Sequence, residues 1–137
     1  LPASLEEEVK IVETRVAQTM TQLEVPAANL PSEEVRRLVT IFRELRSGKT
    51  EDGRTKIKSP SSTLSTAEAI SVINNGQALA THFGDGQLQA EDLAASLTGA
   101  IIKDNNQDAP LWEEYLETVV RQRKNWKDLY EACRALL

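Results

Sequence analysis

The residues best placed to do chemistry lie in one run, Lys56-Ile57-Lys58-Ser59-Pro60-Ser61-Ser62-Thr63-Leu64-Ser65-Thr66-Ala67-Glu68-Ala69-Ile70. Two lysines and a cluster of hydroxyls precede Ser65, and Glu68 follows it three positions on. That is the spacing of a capping box, in which the hydroxyl accepts from an early helical N–H and the carboxylate reaches back. The first turn of a helix leaves N–H groups unpaired and carries a partial positive charge, so it favours an anion. A phosphate suits such a seat, and Arg54, Lys56, Lys58, Ser59, Ser61, Ser62 and Thr63 are the residues that could approach it. The same run also reads as an ordinary serine cap with no ligand.

Seating a phosphate is not reacting with it. With one histidine, His82, and one cysteine, Cys133, the chain cannot assemble a His/Cys metal cluster or a Cys-x-x-Cys redox pair. No G-x-x-x-x-G-K-[ST], G-x-G-x-x-G or G-x-S-x-G occurs. No catalytic and no metal-ligating residues are therefore expected, and the chain alone is not expected to be an enzyme. His82 falls near a helix C-terminus, where a cation is mildly stabilising. Cys133 lies in an apolar stripe and reads as core. Glu113, Glu114, Glu117, Glu91 and Asp92 read as solvated carboxylates, because acid/base work needs a cleft and shifted pKa values.

The elements that must hold these residues are helical by pattern. Ser4 and Glu7 form a second capping box, and Leu5, Val9, Val12, Val16, Met20 and Leu23 then recur at steps of three and four, predicting a helix over residues 5 to 24. Pro26 and Pro31 bracket a connector. Ser32 is expected to cap a second helix striped by Val35, Leu38, Val39, Phe42 and Leu45, which stops before Gly48. Asp52-Gly53 is a turn signal, so residues 49–58 form an exposed loop or a short hairpin. A third helix over about 66–82 has Ala67, Ile70, Ile73, Ala78, Leu79 and Phe83 as its apolar residues, ahead of the stop Gly84-Asp85-Gly86. A fourth runs from Ala90 to Lys103 on Leu93, Leu97, Ala100 and Ile101.

Asp104-Asn105-Asn106-Gln107-Asp108 reads as a polar connector, and Pro110 as the opening of a fifth helix with Leu111, Trp112, Tyr115, Leu116, Val119 and Val120. Asn125 is expected to cap or kink a last segment bearing Trp126, Leu129, Tyr130, Cys133 and Leu136. The pattern predicts an all-α fold, a compact bundle of five or six helices in a single domain over residues 1–137.

Length and composition agree: 137 residues, 40% hydrophobic and 27% charged, suit one globular domain with a real core. No apolar run approaches the roughly 20 residues that span a bilayer, and the first residues, acidic and helical in pattern, do not resemble a secretory signal. The lone cysteine fits a reducing compartment, so a cytoplasmic location and no membrane partner are expected. A start at Leu1 rather than methionine is expected of a piece of a longer polypeptide.

The net charge of −5 is unevenly placed. Arg36, Arg37, Arg43, Arg46, Lys49, Arg54, Lys56 and Lys58 stand against only Glu44, Glu51 and Asp52, while residues 85–117 are acidic. Such polarity suits docking to a protein face or to a nucleotide phosphate, and an acidic domain is a poor partner for nucleic acid. Arg36, Arg37, Arg43, Trp112 and Trp126 are the candidate docking residues for another protein; a solvated helix face and ordinary aromatic packing account for the same residues.

The order of pieces resembles the C-terminal helical lid of AAA+ ATPases, and within them the MoxR-like group. The resemblance rests on Leu1-Pro2-Ala3-Ser4-Leu5-Glu6-Glu7-Glu8-Val9, on the basic loop followed by Ser59-Pro60 to Ile70, on Gly84-Asp85-Gly86 to Leu93, and on Asp128-Leu129-Tyr130. It implies a lid that closes over ATP and Mg held by an absent core domain and relays the nucleotide state to neighbouring subunits and a protein partner. It also implies that the full-length protein is an ATPase whose catalytic groups lie outside this chain. One departure stands out: where many members carry an arginine after Ser-Pro, this chain has Ser61-Ser62, and no arginine occurs between Arg54 and Arg121. Either Arg54, Lys56 or Lys58 takes that duty, or the lid gives no cation to the γ-phosphate. A free-standing helical adaptor for protein–protein interaction is the alternative from a different class.

Overall fold

Helix α1 (Leu5–Gln22) begins where the sequence places it, with the Glu7 N–H donating to the Ser4 hydroxyl at 3.2 Å. The computed structural model of the chain describes residues 4–23, 32–61, 64–83 and 86–137, with only the backbone described at Phe83. The connector at Pro26 and Pro31 and the Gly84-Asp85 stop lie outside those residues. Five further helices follow: α2 (Ser32–Ser47), α3 (Thr66–Phe83), α4 (Ala90–Ile101), α5 (Asn105–Tyr115) and α6 (Lys127–Arg134). A π-helical turn, Leu116–Val120, extends α5, and a 3₁₀ turn, Lys124–Trp126, leads into α6. Among the described residues there is no strand. The fold is an all-α bundle in which α3 packs on α4, α4 on α6, and α1 on α2 and α3.

Several boundaries differ from the sequence reading; α1, for one, ends at Gln22. Ser32 is the first helical residue of α2 rather than its cap. Helix α4 ends two residues early, at Ile101, because the Lys103 N–H donates to Asp108 instead of continuing the helix. Helix α5 starts five residues before Pro110, inside the stretch read as a connector. Asp104 is its N-cap, accepting from the Asn106 and Gln107 N–H groups at 3.0 and 3.3 Å, and this local bonding outweighs the poor helix propensity of the residues that follow. Pro110 therefore sits inside the helix, where its ring nitrogen has no proton to donate. Finally, Trp126 occupies the N-cap position of α6, and Asn125 lies within the 3₁₀ turn.

The core holds Val9, Val12, Val16 and Met20 of α1, the whole expected stripe of α2, and Leu93, Leu97 and Ile101 of α4, closed over by Leu111, Trp112, Tyr115, Leu116, Leu129 and Cys133. In α3 the buried face is Ala69, Val72, Ile73 and Ala80, so the expected Ala67 and Ala78 point outward. The reason is close contact with α4: a Cβ built at Gly76 would stand 2.9 Å from Leu88 Cδ1, just ahead of that helix. The helices approach where the side chain is smallest, and that contact sets the rotation of α3.

Candidate functional site

The cationic loop ahead of α3 is an ordered turn. Gly48 and Gly53 adopt φ of 78° and 74°, which an L side chain enters only under strain. Across the loop the Thr50 N–H donates to Thr55 O at 2.9 Å and the Ile57 N–H to Gly48 O at 2.8 Å, and one antiparallel bridge pairs Lys49 with Lys56. The Asp52 carboxylate closes the tip, accepting from the Thr50 hydroxyl at 2.6 Å and the Arg54 N–H at 3.0 Å. Those two bonds, with the charges of Arg54 and Arg123, hold Asp52 below the usual carboxylate range. Arg54, Lys56, Lys58 and Ser59 are exposed along this hairpin-like turn.

Ser61 is engaged elsewhere. Its N–H and hydroxyl donate to the two Asp108 carboxylate oxygens at 2.8 and 2.7 Å, and the Lys103 and Asp104 N–H groups add bonds of 3.0 and 2.8 Å. Asp108 is fully buried, and burial favours its neutral form. The N–H of Asp104, the Ser61 hydroxyl and N–H, and the Lys103 N–H outweigh that and bring its pKa down to about 2. Ser62 and Thr63 lie outside the described residues.

At the start of α3 the Glu68 N–H donates to the Ser65 hydroxyl at 3.1 Å, which is the hydroxyl half of the expected capping box. A carboxylate from within the chain lies beside it. The Glu8 carboxylate, fully buried, accepts from the Thr66 hydroxyl at 3.2 Å, from Arg46 at 2.6 Å and from Arg43 at 3.2 Å. Arg46 also donates to Leu64 O at 2.8 Å, tying the segment before α3 to α2. Sequence reasoning passed over Glu8, although its spacing from Leu5 and Val12 places it on the buried stripe of α1.

The arginines of α2 are engaged in the same way. Arg36 pairs with Glu6 at 2.5 Å on the surface. Buried Arg37 pairs with Asp128 at 2.7 Å, with Glu34, and with Asn125 O at 3.2 Å. Arg43 pairs with Glu51 at 2.6 Å as well as Glu8. A second buried carboxylate, Glu44, accepts from the Tyr115 hydroxyl at 2.6 Å, Arg123 at 2.5 Å and the Glu51 N–H at 2.9 Å. Burial first, then the Glu44 charge, push the Tyr115 hydroxyl far above its ordinary range. Of the docking residues read from sequence, the structure leaves Arg36 exposed and Trp126 half-buried, with the Arg123 guanidinium 4.4 Å above its ring. Trp112 is fully buried and stacked on Tyr115 at 5.7 Å, so it contributes to the core and not to a surface.

Among the described residues no three His, Cys, Asp or Glu side chains converge as metal ligands, and no helix is long and apolar enough to cross a membrane. Over residues 6–137 the chain matches the YehL-like AAA+ ATPase C-terminal domain, and it belongs to that family. A relative is the protein YehL of Escherichia coli (strain K12), described as uncharacterised: it is 27% identical over 132 residues, which are 95% of this chain and 36% of that protein. The chain thus spans about a third of its relative's length. No solved structure matches it.

Proposed function

We propose that this chain is the lid of a longer, MoxR-like ATPase. It would close over ATP and Mg bound by a core domain outside these residues, and relay the nucleotide state to neighbouring subunits and a protein that the assembly remodels. The observation that carries the reading is the family match along nearly the whole chain. The residues present fit contact with a phosphate and do not fit a magnesium site. With Glu8 at the start of α3 and Ser61 held by Asp108, the exposed Arg54, Lys56, Lys58 and Ser59 are, among the described residues, the groups that could reach a triphosphate. They are carried on an ordered turn, so a rigid motion of the bundle would carry them with it. The burial of the lone cysteine suits a reducing, cytoplasmic setting.

ATP turnover of the full-length protein, with and without residues 1–137, tests this. Turnover is expected in the intact protein, a severe loss on removal of the lid, and none from the isolated chain. ATP hydrolysis by residues 1–137 alone, or undiminished hydrolysis without them, would overturn the reading.

A further inference from the structure

A second cationic surface lies away from the start of α3, where the π-helical turn gives way to α6. Arg121, Arg123, Lys124, Lys127, Tyr130 and Glu131 line a cleft of about 400 Å³ there. Two of its cations are already compensated: Arg121 pairs with Glu117 at 3.0 Å, and Arg123 with Glu44 at 2.5 Å. Arg123 Nη1 is enclosed and has no hydrogen-bond partner among the described residues. Lys124 and Lys127 are exposed and make no ion pair among the described residues, against one acid, Glu131. The hairpin-like turn borders this region, because the Glu51 N–H and Arg123 share the same Glu44 oxygen. In a chain of net charge −5, this is a locally positive patch with a concave floor.

We propose that this cleft docks an Asp/Glu-rich segment of another protein. The inference does not depend on the nucleotide-lid reading, since the lining of the cleft includes none of Arg54, Lys56 and Lys58. Charge complementarity selects an anionic partner, and the charge of the surrounding surface favours a short polypeptide segment over nucleic acid. A nucleic-acid strand running beyond the cleft would meet the acidic remainder of the surface, whereas a short acidic segment ends where the positive field ends.

The test is binding of a fluorescent oligoglutamate peptide to the full-length protein, free of nucleotide, at low and moderate salt. Lys124→Glu with Lys127→Glu is expected to weaken binding by about tenfold or more, because both lysines become like charges for the probe. Lys10→Glu, an exposed lysine of α1, is expected to change it less than about twofold. Neither lysine of the cleft has an ion-pair partner among the described residues, so little change in thermal melting is expected to accompany the loss. Absence of peptide binding, or binding indifferent to the double reversal, would overturn the proposal. So would tighter binding of a thymidine oligonucleotide of equal charge that the same reversal removes, which would identify nucleic acid as the partner.

Discussion

The start of α3 and the cleft before α6 are built from the same materials, basic side chains around a helix N-terminus, and they end in opposite states. At α3 the chain supplies its own anion: Glu8, from the far end of the sequence, meets Arg43, Arg46 and the Thr66 hydroxyl. Before α6 the carboxylates Glu44 and Glu117 pair with Arg123 and Arg121, while Lys124 and Lys127 are exposed and make no ion pair among the described residues. A sequence run rich in cations and hydroxyls therefore marks where an anion sits, without saying whether the anion is foreign. What decides is whether a carboxylate on a neighbouring apolar stripe can be buried against it.

The largest effect is expected from breaking the closed end. Glu8→Ala leaves Arg43 and Arg46 partly buried beside an empty space, and removing one partner of a buried ion pair costs about 3–5 kcal/mol. Urea unfolding would read this as a fall in midpoint with little change in slope; an unchanged midpoint would mean that the Glu8 cluster carries no stability. Asp108→Asn is expected to cost about 2–3 kcal/mol, because an amide cannot accept from all four donors and presents N–H groups to some of them. It should also alter the acid limb. The folded pKa of about 2 lies below the ordinary 3.8, so the stability from this ionised carboxylate is present above pH 3.8 and disappears as pH falls through about 2. The variant should lack that contribution, and parallel acid melts of the two proteins would contradict it.

A smaller loss, about 1 kcal/mol, is expected for Ser65→Ala, which removes the cap of α3 and leaves the Glu68 N–H without its acceptor. The smallest belongs to the open end. Charge reversal at Lys124 and Lys127 should shift stability by no more than about 0.5 kcal/mol per site, as surface changes do. A loss like that of Glu8→Ala would mean that those lysines are structurally engaged, and the contrast between the two ends would fail.

Much of this was legible beforehand. The capping serines of α1 and α3, the stripe of α2 and the late aromatic cluster follow from spacing alone, because periodic burial and local hydrogen bonding are written along the chain. The start of α5 was not, since Pro110 and Asp104 both signal a helix start and the stronger choice depends on Asp108 being needed inside. The face of α3 was misjudged for a similar reason. Its rotation follows from the approach of Leu88 to Gly76, a contact between segments that periodicity cannot see. The candidate site divides along the same line. The exposure of Arg54, Lys56 and Lys58 follows from local turn chemistry, whereas the engagement of Ser61, Arg37 and Arg43 depends on carboxylates distant in sequence.

Cys133 is the chain's single thiol, fully buried against α4 and the end of α5, and burial lifts its pKa to about 12 against a small opposing pull from Arg37. Almost no thiolate exists at neutral pH while α6 stays docked, so alkylating reagents should find it inert. Each labelling event would then record a moment when the last helix lifts away. Followed by mass spectrometry with a maleimide, the modification rate becomes a clock for local opening, with Leu129→Ala expected to run it fast and Ser59→Ala to leave it unchanged.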